Sequence, residues 1–201
     1  MKGILFKDWK IKAIAEDDRE WQTRRVIKQL DSEFEWEVID VGEPIIMFKD
    51  GIGGCIFLSP RYQVSEVVYV KEAYQVRGGD YSKQTAWIVY PDGIELTRKI
   101  PMYYSWDKAM KPCYTKLNGS MPTVSPLFMP EWAARYFIKI TDIRAERLQE
   151  ITLTDIRAEG IGQEWLDARG LFRGIWNSIN AKYPWESNPW VFPYSFKKAE
   201  K

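Results

Sequence analysis

The run Val67-Val68-Tyr69-Val70-Lys71-Glu72 constrains this chain more than any other segment. Four consecutive apolar residues, three of them β-branched, read as a strand covered on both faces, and the charged pair ends it. A strand of that kind needs a sheet with packing on each side. Other segments supply it. Ile4 to Phe6 reads as a short buried strand, Trp36 to Ile39 as a strand, and Pro44 to Phe48 as another. Asp50-Gly51 makes a tight turn, and Gly53-Gly54 leads into a strand from Cys55 to Leu58. Ala86–Tyr90 and Ile94–Leu96 flank Pro91-Asp92-Gly93, a hairpin signature. Tyr136, Ile138 and Ile140 alternate with Phe137, Lys139 and Thr141. Trp190, Phe192, Tyr194 and Phe196 share one face of a closing strand after Asn188-Pro189 and read as core.

Helical signals are interleaved with these strands. Asp8 is placed as an N-cap, after which Trp9, Ile11, Ala13 and Ile14 give an apolar face through about Ala15. Thr152 and Asp155 form a capping box for a short helix that stops at Gly160. Leu171, Phe172, Ile175, Trp176 and Ile179 follow the stripe of a core-packing helix. The mixture predicts an α+β fold. No repeat and no Gly-, Pro- or Ser-rich linker divides the 201 residues, so a single domain over 1–201 is expected.

Composition removes several function classes. There is no histidine, which excludes Ser-His-Asp and Cys-His nucleophile systems and every His-based metal site. Acid–base chemistry falls to Asp, Glu, Lys, Tyr or Cys. Cys55 and Cys113 are too few for a four-ligand zinc site and read as free thiols in a reducing cytosol. No metal or cofactor is expected. No apolar run approaches the roughly 20 residues of a membrane span, and the charged start does not read as a secretory signal. A cytoplasmic location away from membranes is therefore expected. The formal net charge of +1 advertises no strong field toward nucleic acid. Aromatics are abundant at 15%, so some are expected on binding surfaces.

Three constellations carry chemistry. In Gln22-Thr23-Arg24-Arg25, two adjacent guanidiniums could clamp phosphate, with Thr23 adding a hydroxyl. They could equally pair with the acidic run from Glu16 to Glu20, or with Glu66 or Glu72. At Lys71-Glu72, strand alternation sends the two charges to opposite faces, so one of them looks into a cleft or along an edge. A carboxylate held there would serve as a base, or as an acceptor for a nucleobase edge. Residues 98–125 read as an irregular functional loop with Pro101, Pro112, Gly119 and Pro122. Five Lys/Arg against one Asp, Lys108 and Lys111 among them, interleave with Tyr103, Tyr104, Trp106 and Tyr114. That pattern suits unpaired bases stacked on rings with their phosphates neutralised.

Taken in order, these blocks resemble a known family. Q-T-R-R-V-I-K at 22–28 is followed by V-V-Y-V-K-E-A-Y at 67–74 and M-P-E-W-A-A-R at 129–135. I-T-D-I-R-A-E-R-L-Q-E-I at 140–151, D-I-R-A-E-G-I at 155–161, W-N-S-I-N-A-K at 176–182 and N-P-W-V-F at 188–192 complete the series. The chain is similar to the ASCH proteins of the PUA-like superfamily, in the version often encoded by phages and prophages. The resemblance implies a small β pseudobarrel of mixed strands flanked by short helices, with a cleft beside the first helix that holds RNA or a modified nucleobase. Segments at about 32–60 and 76–120 look like insertions. One branch of the family hydrolyses N4-acylcytidine nucleosides with a Lys, a Thr and a Glu, the first two in a G-x-K-x-x-T-x-R motif. Thr23 matches its Thr and Arg25 its Arg, but Glu20 stands at the Lys and Asp18 at the Gly. Glu159 lies near the family's catalytic Glu.

The resulting expectation is a protein that binds RNA, single-stranded nucleic acid or a nucleotide. Gln22, Thr23, Arg24 and Arg25 would hold phosphate or a base edge, Lys71 and Glu72 would complete the floor, and Tyr103, Tyr104, Trp106, Lys108 and Lys111 would extend the contact. The alternatives are a hydrolase of a modified nucleoside, or a ribonuclease, that uses Thr23 with Lys71 and Glu72, and a module that binds a host protein through exposed aromatics.

Overall fold

A computed structural model describes residues 1–30, 35–40, 45–114, 121–161 and 167–200. Pro44 before the third strand segment, and Lys116 and Gly119 of the basic segment, lie outside the described residues. The chain is mixed α+β. It opens with β1 (Gly3–Leu5), α1 (Asp8–Glu16) and β2 (Trp21–Val26), then β3 (Trp36–Asp40), β4 (Ile46–Asp50) and β5 (Cys55–Leu58). Next come β6 (Val67–Lys71), β7 (Gln75–Asp80), β8 (Thr85–Val89), β9 (Glu95–Lys99) and α2 (Trp106–Tyr114). β10 (Phe137–Ile143), β11 (Glu146–Arg147), α3 (Leu153–Ala158), α4 (Ala168–Ile179) and β12 (Trp190–Ala199) complete it. No described helix is long and apolar enough to cross a membrane.

The backbone divides into two compact units. One holds Met1–Glu16, Val67–Ile138 and Ala199–Lys201, and the other holds Asp17–Glu66 and Lys139–Lys198.

In the first unit β1 lies parallel to β6, with Gly3 opposite Tyr69 and Leu5 opposite Lys71. Gly3 is the residue this register requires, because a Cβ there would fall 2.5 Å from Lys71 Cε and 2.7 Å from the Tyr69 ring. β7, β8 and β9 form an antiparallel meander. The Pro91-Asp92-Gly93 turn closes where the hairpin signature places it, with Gly93 at φ 83° and its N–H donated to the Tyr90 carbonyl. The core gathers Val76, Ile88, Tyr90, Met110, Trp132 and Phe137. Asp8 sits inside the first turn of α1 rather than capping it, since the Lys7 carbonyl accepts from the amides of Lys10 and Ile11. Trp9 is 42% exposed, so the buried face of α1 is made by Lys10, Ile11 and Ile14 instead.

The segment read as an irregular loop contains α2. Pro112 removes one backbone donor inside it and hides the helical signal in the sequence. Burial of Ala109 and Met110 among the β7–β9 side chains outweighs that loss. Gly79 of β7 lets this happen, because a Cβ there would lie 2.9 Å from Trp106 Cη2 and 3.3 Å from the Met110 sulfur.

In the second unit β12 pairs antiparallel with β2, Tyr194 opposite Thr23 and Phe192 opposite Arg25, and with β11. β3, β4 and β5 form their own antiparallel meander, whose Phe48 is fully buried and edge-on to Trp190 at 5.4 Å. The closing strand is core, with Phe192, Tyr194 and Phe196 at 7%, 1% and 0% exposure. α3 starts at the Thr152–Asp155 capping box, and Gly160 follows it at φ 91°. α4 buries Phe172 and Trp176 but leaves Leu171 and Ile179 exposed, a narrower stripe than the sequence suggests.

Candidate functional site

The strand β2 separates what the sequence places side by side. Successive strand residues face opposite ways, so Arg24 and Arg25 do not converge on one phosphate. Arg24 is drawn into a network of ions. Its Nε and Nη2 donate to Glu146 Oε1 at 3.1 and 2.9 Å, and Nη1 donates to Glu159 at 3.1 Å. Asp155 lies 3.4 Å from Nη2, and Arg144 binds the other oxygens of Glu146 and Asp155 at 2.8 and 3.0 Å. The side chain of Arg24 is 1% exposed. Its carboxylate partners therefore come from β11, α3 and Glu159 just after α3, not from the run Glu16–Glu20, Glu66 or Glu72.

Arg25 lies among Tyr62, Tyr194, Glu159 and Arg61. Burial pulls its pKa down, against the pull of Tyr62, Glu159 and Tyr194, and Arg61 adds to the lowering. The Tyr62 and Tyr194 rings meet edge-on at 5.3 Å, and burial pushes the Tyr194 hydroxyl up to about 12. Thr23 is buried in mid-strand, and Gln22 donates from Nε2 to Ser195 Oγ at 3.3 Å. Glu20 accepts from the Thr141 hydroxyl at 2.7 Å.

Lys71 and Glu72 belong to the other unit. They face apart as alternation requires. Lys71 donates to the Leu127 carbonyl at 3.0 Å, while Glu72 turns inward to 2% exposure. Arg135 grips it with a two-pronged bond, Nε to Oε1 at 2.9 Å and Nη2 to Oε2 at 2.8 Å. The third guanidinium nitrogen donates to Asp92 at 2.6 Å. Tyr90 and Tyr136 lie against the guanidinium at 4.2 and 4.8 Å from its carbon. Burial pushes the Glu72 carboxyl up, and the Arg135 bonds and charge pull it part of the way back.

No family model, curated protein or solved structure matches this chain. Its function rests on its own geometry.

That geometry contains a cleft of about 530 Å³ in the first unit. The volume lies within the range of about 300–1,000 Å³ usual for small-molecule sites. One wall is a single helical face, since Asp8, Ile11, Lys12, Ala15 and Glu16 follow the i, i+3, i+4, i+7, i+8 spacing of α1. Glu72, Asp92, Arg135 and Tyr136 form the polar side, and Pro91 and Ile94 add apolar surface from the hairpin turn. Sequence reasoning named Glu72 but missed Arg135 and the α1 face. Arg135 stands 63 residues from Glu72, and only its place at the end of the M-P-E-W-A-A-R block marked it.

The basic segment lies in the same unit. Tyr103 is 83% exposed, and Lys108 and Lys111 are exposed on α2. Tyr104 and Trp106 are half-buried, packed edge-on against Trp132 and Tyr81 at 5.7 and 5.4 Å. Lys108 lies 5.5 Å above the Tyr104 ring.

Proposed function

We propose that this chain is an ASCH-like protein of the PUA-like superfamily that binds single-stranded RNA or a nucleotide, with a base held in the α1 cleft. The observation that carries the reading is Glu72, a buried carboxylate fixed by a two-pronged arginine on the wall of a cleft of nucleoside size. A base edge is read by acceptors that are already oriented and shielded from water, because such groups lose little freedom on binding. Tyr103, Lys108 and Lys111 supply the stacking ring and the phosphate-neutralising charges of a single-strand surface in the same unit.

Binding to a short single-stranded RNA, read by fluorescence anisotropy across a salt series, tests it. Affinity should fall with salt, and Lys108→Ala with Lys111→Ala should flatten the slope by roughly one to two units. Ala15→Phe, which fills the cleft from α1, should weaken binding with the melting temperature retained. Absence of binding at about 50 mM salt, where phosphate contacts are strongest, overturns the reading.

A further inference from the structure

The cleft's lining says which part of a nucleotide enters it. Resting on the reading above, we infer that the α1 cleft accepts an uncharged base that carries an amino group, and keeps phosphate outside.

The cations come first. Among the described lining residues Arg135 has the only guanidinium, and each of its three nitrogens makes a bond, two to Glu72 and one to Asp92. The rings of Tyr90 and Tyr136 also lie against the guanidinium. The bonds to Glu72 and Asp92 use three of its five N–H groups, and its single positive charge is already shared between two carboxylates, so a phosphate would compete with both. The other cation among the described lining residues is Lys12, and it shares the cleft with Asp8, Glu16, Glu72 and Asp92. Among the described lining residues four carboxylates stand against two cations, a negative excess, so a phosphate dianion meets both desolvation and repulsion on entry.

Hydrogen bonding points the same way. Carboxylates only accept, so a ligand satisfies them by bringing N–H or O–H donors, and on the edge of a base these are N–H groups. Adenine and cytosine carry an exocyclic amino group, and guanine carries an amino group beside a ring N–H. Uracil presents two carbonyl oxygens around a single N–H and would set acceptor against acceptor. Ile11, Ala15, Pro91 and Ile94 supply the apolar surface that a flat ring covers. An acyclic amine would find the charge but leave that surface wet.

Calorimetry on the full chain tests the inference with adenosine, cytidine, guanosine, uridine, adenosine 5′-monophosphate and agmatine as probes. The amino-bearing nucleosides should bind about tenfold or more tighter than uridine, the discrimination expected when a dry acceptor loses its donor. Adenosine should bind tighter than its monophosphate. Asp8→Asn with Glu16→Gln, both on α1, should narrow that gap by raising affinity for the monophosphate. Three results overturn the inference and leave RNA binding intact: uridine equal to adenosine, the monophosphate tighter than the nucleoside, or agmatine equal to adenosine. Failure of every probe together with failure of single-stranded RNA overturns the binding reading itself.

Discussion

Arg24 reaches Glu146 with two of its nitrogens onto one carboxylate oxygen, at 3.1 and 2.9 Å, with its side chain 1% exposed. Glu146 and Asp155 each bridge Arg24 to Arg144, so β2, β11 and α3 are joined through shared carboxylates. Removing Arg24 would leave Glu146, Asp155 and Glu159 short of a shared, buried counter-charge. Arg24→Ala should cost about 3–5 kcal/mol in urea unfolding, the range for breaking a buried ion pair from one side. Lys108→Ala, on an exposed helix face, should stay within about 0.5 kcal/mol. Equal effects from the two variants would sink this account of Arg24.

Acid stability should carry the mark of Asp155. Burial works against its charge, but bonds from Thr152 and the charges of Arg24 and Arg144 outweigh burial and hold the carboxyl below its ordinary 3.8. The unfolded chain therefore takes up this proton first as pH falls. The stabilisation is complete above pH 3.8 and is lost as pH drops through the lower folded value. Melting temperature measured from pH 6 to pH 2.5 should show a shallower acid limb in Asp155→Asn. An unchanged limb counts against the network.

Two glycines should respond oppositely to alanine. At Gly79 a Cβ would lie 2.4 Å from the backbone oxygen of Thr85 and 2.9 Å from Trp106, and backbone cannot step aside. Gly79→Ala should destabilise by about 1–3 kcal/mol. Gly174 lies inside α4 with nothing within 4 Å of the added Cβ. Gly174→Ala should stabilise by about 0.5–1 kcal/mol through helix propensity. The pair is read from chemical-denaturation midpoints, and the same sign at both sites refutes the packing argument.

Threonine chemistry at β2 should be weak. On the ASCH-like reading proposed above, Glu20 takes the place of the hydrolases' lysine, and its carboxylate accepts from the Thr141 hydroxyl. A carboxylate there adds negative charge beside an intermediate that also becomes negative, and loss of one oxyanion donor alone costs about 10²- to 10³-fold. Glu20→Lys should raise turnover of N4-acylcytidine above that of the unmodified chain, and Thr23→Ala in that background should abolish it. Brisk hydrolysis by the unmodified chain, lost in Thr23→Ala, would replace the binding reading with an enzyme.

Local chemistry carried much of this fold. The Pro91-Asp92-Gly93 hairpin, the Thr152–Asp155 capping box and the buried closing strand are written in spacings of a few residues, and the backbone follows them. α2 was not legible, because its proline looks like a breaker and the burial that overrides it comes from β7, some thirty residues earlier. The inward turn of Glu72 was half legible. Alternation requires Lys71 and Glu72 to part, but only packing decides which goes inside.

The sequence by itself determined the α+β mixture, the turns, the caps and the types of residue available for chemistry, all set by interactions between near neighbours. Tertiary structure decided the partners of the charges. Arg24 and Arg25 are adjacent in the chain, yet strand alternation sends one to Glu146 and Asp155 and the other among Tyr62, Tyr194 and Arg61, with Glu159 acting on both. Glu72 and Arg135 meet across 63 residues because a buried charge is tolerated only where an opposite charge can be brought to it. No spacing in the chain encodes that meeting, since it depends on which strands and turns the whole fold sets side by side.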